Sequence, residues 1–263
     1  MTDPASFSTE FTYERQAMRP TARTWIIHIA LLLITLCTTT IAGVLFPFGT
    51  KDTFPSADPQ TWNDVLQFVM SIPVRYTAFV ASVIYDLLTN FTLLKEGLSF
   101  SISLLFILLS HEMGHYIACR IYGVDATLPF FIPTPPLIGP AGTFGAFIKI
   151  QSPMPSRKAV FDIGVAGPIA GFIALIPIAI IGLATVQTLT PEQAAHYQSP
   201  IVFFDPLFIK GVAYFFGIDT KLGLTNPFSC AAWVGLLVTA LKDRKSTRLN
   251  SSHIQKSRMP SSA

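Results

Sequence analysis

The sequence predicts an all-α polytopic membrane protein: about four transmembrane helices, interfacial or re-entrant segments, and a short strand-like loop beside one helix. Three observations carry this. Of 263 residues 51% are hydrophobic and only 13% charged, with a mean hydropathy of +0.51, too apolar for a domain whose whole surface must be wetted. The apolar residues fall into runs long enough to cross much of a bilayer, around Thr24 to Leu45, Leu98 to Ile117, Lys158 to Val186 and Asn226 to Leu241. Between them lie Pro-, Asp- and Thr-rich stretches that read as loops.

The formal charge of +3 is unevenly placed. From Lys242 to the end there are six Lys or Arg against one Asp, whereas the first 241 residues carry twelve basic and fourteen acidic side chains. No nucleic-acid partner is implied by a body that is slightly acidic. Cys37, Cys119 and Cys230 are odd in number and scattered through apolar segments. They read as small hydrophobes, not as a disulfide framework or a zinc site.

Met1 to Arg23 is polar, with Arg15, Arg19 and Arg23 before the first apolar run, and is expected to be a cytoplasmic arm. Thr24 to Leu45 is too long for the apolar core of a signal peptide and reads as the first transmembrane helix, with His28 at the interface. Phe46 to Ile72 is expected to be an external loop punctuated by Pro47, Pro55 and Pro59. Val74 to Leu94 has an apolar stripe but carries Arg75, Asp86 and Asn90, so the expectation leans to an interfacial helix over a span.

The next helix is expected to start after Lys95-Glu96-Gly97 and carries the chemistry: Ser110-His111-Glu112-Met113-Gly114-His115. His111 and His115 lie one helical turn apart on one face, which suits two imidazoles binding one zinc. Glu112 sits beside them, where it can take a proton from water. Ionisable groups inside an apolar membrane helix are costly and mark function. The helix should return to the cytoplasmic side, where Arg120, Lys149, Arg157 and Lys158 also fall.

Ala126 to Ile150 contains five prolines and three glycines, which forbid a regular helix, yet it is strongly apolar. It should be irregular or strand-like backbone buried beside the site, with Gly142 to Ile150 alternating as a short strand. Its edge either pairs with an extended substrate segment or plugs the bundle. In Lys158 to Val186, Gly164, Gly167 and Gly171 cluster with Pro168 and are expected to let another helix approach closely. Asp162 is either interfacial or a partner of a ligand histidine. Gln187 to Pro200, including His196, reads as an external loop, and Ile201 to Gly217, broken by Asp205-Pro206 and Lys210, as re-entrant or interfacial.

Four motifs in order carry a family resemblance: His111-Glu112-Met113-Gly114-His115-Tyr116; Gly142-Thr143-Phe144-Gly145-Ala146-Phe147-Ile148; Phe161-Asp162-Ile163-Gly164-Val165-Ala166-Gly167-Pro168; and Ala232-Trp233-Val234-Gly235-Leu236-Leu237-Val238-Thr239-Ala240-Leu241. Together they resemble the site-2 protease family of intramembrane zinc metalloproteases, over roughly Leu98 to Leu241. The resemblance implies that His111 and His115 bind Zn2+ and that Glu112 is the general base. It also implies a membrane-protein substrate; Gly142, Thr143, Phe144 and Gly145, at the strand edge described above, are the residues expected to contact it. The family's third ligand is an aspartate in a Leu-Asp-Gly motif, which this sequence does not contain. Asp243 is followed by Arg244 and Lys245, so the role is not carried over to it.

Lys242 to Ala263 abruptly loses apolar periodicity, and parts of it look like an in-frame translation of a sequencing-library adapter oligonucleotide. The expected division is therefore a cytoplasmic arm at 1–23, a membrane-embedded metalloprotease domain at 24–241 that lacks its C-terminal part, and an artefactual tail at 242–263. Two functional classes follow. One is an intramembrane metalloprotease in a bacterial inner membrane, impaired in this chain by the missing ligand. The other is a non-catalytic scaffold or a proton or metal relay using the same three residues.

Overall fold

Asn90 opens the helix that organises the molecule: its side chain accepts from the Thr92 and Leu93 amides, at 3.1 and 3.3 Å, capping the first turn. The structure is a computed structural model and describes residues 21–45, 60–136, 141–188, 207–217, 223–224 and 226–240. The arm before Thr21 and the tail after Ala240 lie outside the described residues, as does His196. In chain order the elements are α1 (Ala22–Leu45), α2 (Trp62–Thr89), α3 (Phe91–Ile121), β1 (Phe130–Pro133), β2 (Thr143–Phe147), α4 (Arg157–Ala184), β3 (Gln187–Thr188), α5 (Leu207–Phe216), β4 (Gly223–Leu224) and α6 (Pro227–Ala240).

Four of these, α1 to α4, are long and apolar enough to cross a membrane. The all-α polytopic reading is thus what the structure shows. The 31 residues of α3 rise about 46 Å, beyond the roughly 30 Å hydrocarbon layer. It stops at a left-handed glycine, Gly123 with φ +64°. The Gly123 amide donates to the Arg120 carbonyl and the Val124 amide to the Cys119 carbonyl, which satisfies the last carbonyls of the helix.

Several expectations are corrected. The stretch 62–72 is not external loop but the first turns of α2, which begins with a capping box between Thr61 and Asp64. The segment from Val74, left between an interfacial and a spanning helix with a lean to the former, is part of one continuous helix α2 that is long and apolar enough to span, and Pro73 inside it does not end it. Helix α3 starts at Phe91, so Lys95-Glu96-Gly97 lies within it. There Gly97 allows the close approach of α1, since a Cβ would come 2.8 Å from the Thr40 carbonyl oxygen. Gln187 and Thr188, expected in a loop, pair with Leu224 and Gly223. Of Ile201 to Gly217 the described part is α5, which buries Ile209 and Ala213 against Leu175, Ala179 and Leu183 of α4.

The Pro-rich stretch folds as an antiparallel pair, Phe130 opposite Phe147 and Phe131 opposite Ala146, with an irregularity before Pro133 opposite Thr143. Its tie to α1 is polar. The Thr38 hydroxyl donates to the Gly142 carbonyl at 2.8 Å, and the Thr134 amide donates to the same oxygen at 3.1 Å. Gly142 has φ +69°, and a Cβ there would overlap the Thr38 carbonyl. Only glycine fits this contact without moving α1. In the same region the Thr40 and Ser101 hydroxyls share a buried hydrogen bond of 2.9 Å between α1 and α3, which keeps polar groups satisfied where water is scarce.

Candidate metal centre

Helix α3 places His111 and His115 on one face, and α4 supplies the wall opposite them. His111 is 2% and Glu112 4% exposed. The two imidazoles converge: His111 Nε2 lies 3.2 Å from His115 Nε2. Two nitrogens on one tetrahedral zinc, at bonds of about 2.0–2.1 Å, stand about 3.3 Å apart. His115 Nδ1 is 2.6 Å from the Ile163 carbonyl oxygen. A carbonyl only accepts, so Nδ1 carries a proton, and it is the Nε2 side of the ring that faces His111.

The approach of α4 depends on missing side chains. A Cβ on Gly167 would overlap His115 Nε2, and one on Gly171 would stand 3.1 Å from His111 Cβ; on α3, a Cβ at Gly114 would overlap the Ala166 carbonyl. Gly164, expected to share this role, faces nothing within 4 Å. Gly167 and Gly171, packing residues by their sequence pattern, pack against the histidine pair itself.

Glu112 is held from the hairpin. The Ile148 amide, just past β2, donates to Glu112 Oε2 at 3.1 Å, aligning a buried carboxylate with a backbone donor. Of the segment expected to meet substrate, Gly142 and Thr143 are engaged internally, the Thr143 hydroxyl donating to the Ile132 carbonyl at 2.9 Å. The Gly145 amide donates to the Thr143 hydroxyl at 3.0 Å, while Phe144 is 67% exposed.

Asp162 accepts a short hydrogen bond from the Tyr122 hydroxyl, joining the end of α3 to the first turns of α4. It is the carbonyl of the next residue, Ile163, that holds His115. The bond to Asp162, with burial and the carboxylate's charge, raises the Tyr122 phenol above its ordinary value of 10.0. A raised folded-state value means that this link contributes at neutral pH and is lost as pH rises through it. Ultraviolet titration of the parent against Tyr122→Phe is expected to show that the phenol missing from the variant ionises above its ordinary value; a Tyr122 signal at the ordinary pH would contradict the bond.

Do these residues fit a metal? The donor chemistry fits at two positions, through two convergent imidazole nitrogens whose space is kept by Gly167 and Gly171. It is incomplete beyond them: among the described residues no group of three His, Cys, Asp or Glu side chains gathers to hold an ion.

Residues 99–242 match the model of peptidase family M50. The chain is 26% identical over 222 residues to a protein of Oryza sativa subsp. indica named probable zinc metalloprotease EGY2, chloroplastic, covering 81% of this chain and 39% of that protein. It is 29% identical over 156 residues to the Arabidopsis thaliana protein of the same name, covering 58% and 27%. It is 30% identical over 152 residues to probable zinc metalloprotease EGY1, chloroplastic, of Oryza sativa subsp. japonica, covering 56% and 25%. The chain thus spans about two fifths or less of the length of these relatives. No solved structure gives a significant match. With its four motifs in order and more than half its length matched, this chain belongs to peptidase family M50, as its site-2 protease resemblance implied.

Proposed function

We propose that the centre is that of an intramembrane zinc metalloendopeptidase, in which His111 and His115 hold the metal and Glu112 is the general base, acting on peptide bonds of membrane-spanning proteins. The observation that carries this reading is the 3.2 Å convergence of the two Nε2 atoms with the His115 tautomer set by Ile163. Zinc, when bound, lowers the pKa of water and polarises a carbonyl. Glu112, aligned by the Ile148 amide, takes the proton of the attacking water and returns it to the leaving amine. The strand beside it, at the exposed Phe144, would receive an unwound substrate segment by strand addition, with Gly142, Thr143 and Gly145 holding the strand in place through their internal hydrogen bonds. Substrate bonds in a helix are shielded by their own backbone hydrogen bonds, so an extended register beside the base is what hydrolysis needs.

We further propose an N-terminus on the cytoplasmic side of a bacterial inner membrane. The grouping of Arg120, Lys149, Arg157 and Lys158 at the metal end of α3 and α4 supports that orientation. Because the Leu-Asp-Gly ligand is missing from this sequence, the chain itself should bind zinc weakly and cleave poorly. The incomplete donor set favours a second reading, a non-catalytic scaffold or relay.

The deciding comparison sets this chain beside one read from the source locus through and past the codon for Leu241. If the locus continues into Leu-Asp-Gly, that protein is expected to take up one zinc, lose it in His111→Ala, and cleave a reporter membrane segment. A zinc-loaded protein of that kind that leaves every membrane segment intact would transfer the assignment to the relay.

A further inference from the structure

The stretch between α1 and α3 begins and ends at one level of the bundle. Val44 lies over Gly97, Gly43 over Phe100, and Thr40 bonds Ser101, so residue numbers fall along α1 as they rise along α3, and the two helices are antiparallel. Their other ends agree: the His28 ring stands edge-on to Phe130, whose strand partner Phe147 precedes the Ile148 amide that holds Glu112. Where α1 ends and α3 begins, Ile41, Val44 and Leu45 pack with Leu93 and Leu94 around Val83 and Leu87 of α2. If α1, α2 and α3 crossed a membrane in turn, α1 and α3 would be parallel. Since they are not, a crossing by α2 needs a second crossing by the residues that join it to α1. Those residues, 46–61, carry Lys51, Asp52 and Asp58 with Pro47, Pro55 and Pro59, a composition that bars them from the hydrocarbon layer.

The surface of α2 is divided to match. Asp64, Gln67, Ser71, Arg75, Ser82 and Asp86 recur at steps of three or four, with Ala78 filling the one longer step, and form a polar stripe along most of the helix. Phe79, Val83 and Leu87 make the flank that packs on α1 and α3, and the Tyr76 hydroxyl beside them donates to the Pro136 carbonyl at 2.9 Å. Leu66, Met70, Ile84 and Leu88 lie on the other flank and are exposed. Along a spanning helix the stripe would face acyl chains, where charge is costly. Laid in the plane of a membrane surface, the same helix keeps its stripe in water and sinks its apolar arc.

We propose that α2, although long enough to span, is an in-plane helix seated on the lipid surface, its apolar arc at the boundary of head groups and acyl chains and its polar stripe in water. The crossings among the first four helices are then α1, α3 and α4. Twenty residues of α3 separate Phe91 from His111, a rise of about 30 Å, so α2 and the metal centre stand at opposite surfaces. The start of α1 and the metal end of α3 share a side.

The test uses the full chain in right-side-out and inverted membrane vesicles of an expressing bacterium, with single added cysteines and a maleimide that does not cross membranes. The parent chain is the blank for Cys37, Cys119 and Cys230. Asn63→Cys, in the first turn of α2, and Thr89→Cys, at its end, are expected to label in the same vesicles, and Ala22→Cys, at the start of α1, only in the other kind. Between the ends of α2, Ser71→Cys and Ala78→Cys should label, whereas Met70→Cys and Ile84→Cys should not. Gln67→Cys, one turn on, reads the same end should Asn63→Cys fail to reach the membrane. Labelling of Asn63→Cys in the vesicles that expose Ala22→Cys overturns the proposal, because α2 then spans. Both ends on one side with Ser71→Cys and Ala78→Cys closed to the reagent also overturn it, and give the stripe to a protein such as a second copy of this chain. Labelling of Met70→Cys and Ile84→Cys as strong as that of the stripe overturns the lipid seat.

Discussion

Gly167→Ala is expected to lower metal affinity by roughly 100-fold or more, beyond the range typical of outer partners of a metal ligand. The new methyl would occupy the place of His115 Nε2 itself. Three relaxations are open to the protein. The imidazole can rotate, losing the Ile163 carbonyl and turning its lone pair away from His111; α4 can withdraw, breaking the contact between Gly114 and Ala166; or both can share the strain. Overpacking of a well-filled interior costs about 1–3 kcal/mol, and a metal site tolerates ligand displacements of only about 0.5 Å. The bundle should therefore survive while the site does not. Gly164→Ala on the same helix is the control, since a Cβ there meets nothing within 4 Å. Zinc titrations on the two variants should diverge sharply; matching isotherms would mean that the histidine pair is not where the metal binds.

On the proposed reading, in a protein that continues into Leu-Asp-Gly, Glu112→Gln should lower the rate of peptide-bond hydrolysis by about 10²–10⁴-fold, the usual contribution of a positioned base, while zinc affinity changes little. The substitution is conservative in shape. A glutamine oxygen still accepts from the Ile148 amide, so the hairpin stays docked to α3, but an amide does not take a proton from water near neutral pH. Glu112→Ala removes the proton acceptor and the tether together, leaving a buried amide with no acceptor from α3. It is expected to lose cleavage as fully and also to loosen β2, read as faster amide exchange at Ile148. Cleavage by Glu112→Gln at the parent rate would remove Glu112 from the chemistry and favour the relay reading, where a carboxylate serves as a stop for protons or ions.

The features legible in the sequence are those that depend on near neighbours in the chain. Helical periodicity alone puts His111 and His115 one turn apart, and Glu112 follows from the same pentapeptide. The prolines and glycines of Ala126 to Ile150 exclude a helix, and β1 with β2 is the strand-like segment they leave room for. Local composition misleads where polar residues sit inside a long element. The Pro-rich stretch before Arg75 argues for a loop up to Ile72, yet a capping box at Thr61 starts one uninterrupted α2. That box, a threonine followed three residues later by an aspartate, is a signal present in the sequence and outweighed there by the prolines upstream.

What the sequence by itself determined is the class of the protein, its apolar helices and its family, because these follow from hydropathy, from a 3.6-residue repeat and from the order of four motifs; it also pointed to the residues proposed to carry chemistry. What only the tertiary structure decided is who serves those residues. The Ile163 carbonyl that sets the His115 tautomer lies 48 residues away in the chain, and the Ile148 amide on Glu112 lies 36 away. Gly167 and Gly171 come to stand over the imidazoles by the crossing of α3 and α4. The reason is physical: backbone carbonyls and amides are the same at every position and leave no mark on composition, and a glycine's missing side chain acquires meaning only from the atom that another helix puts in its place.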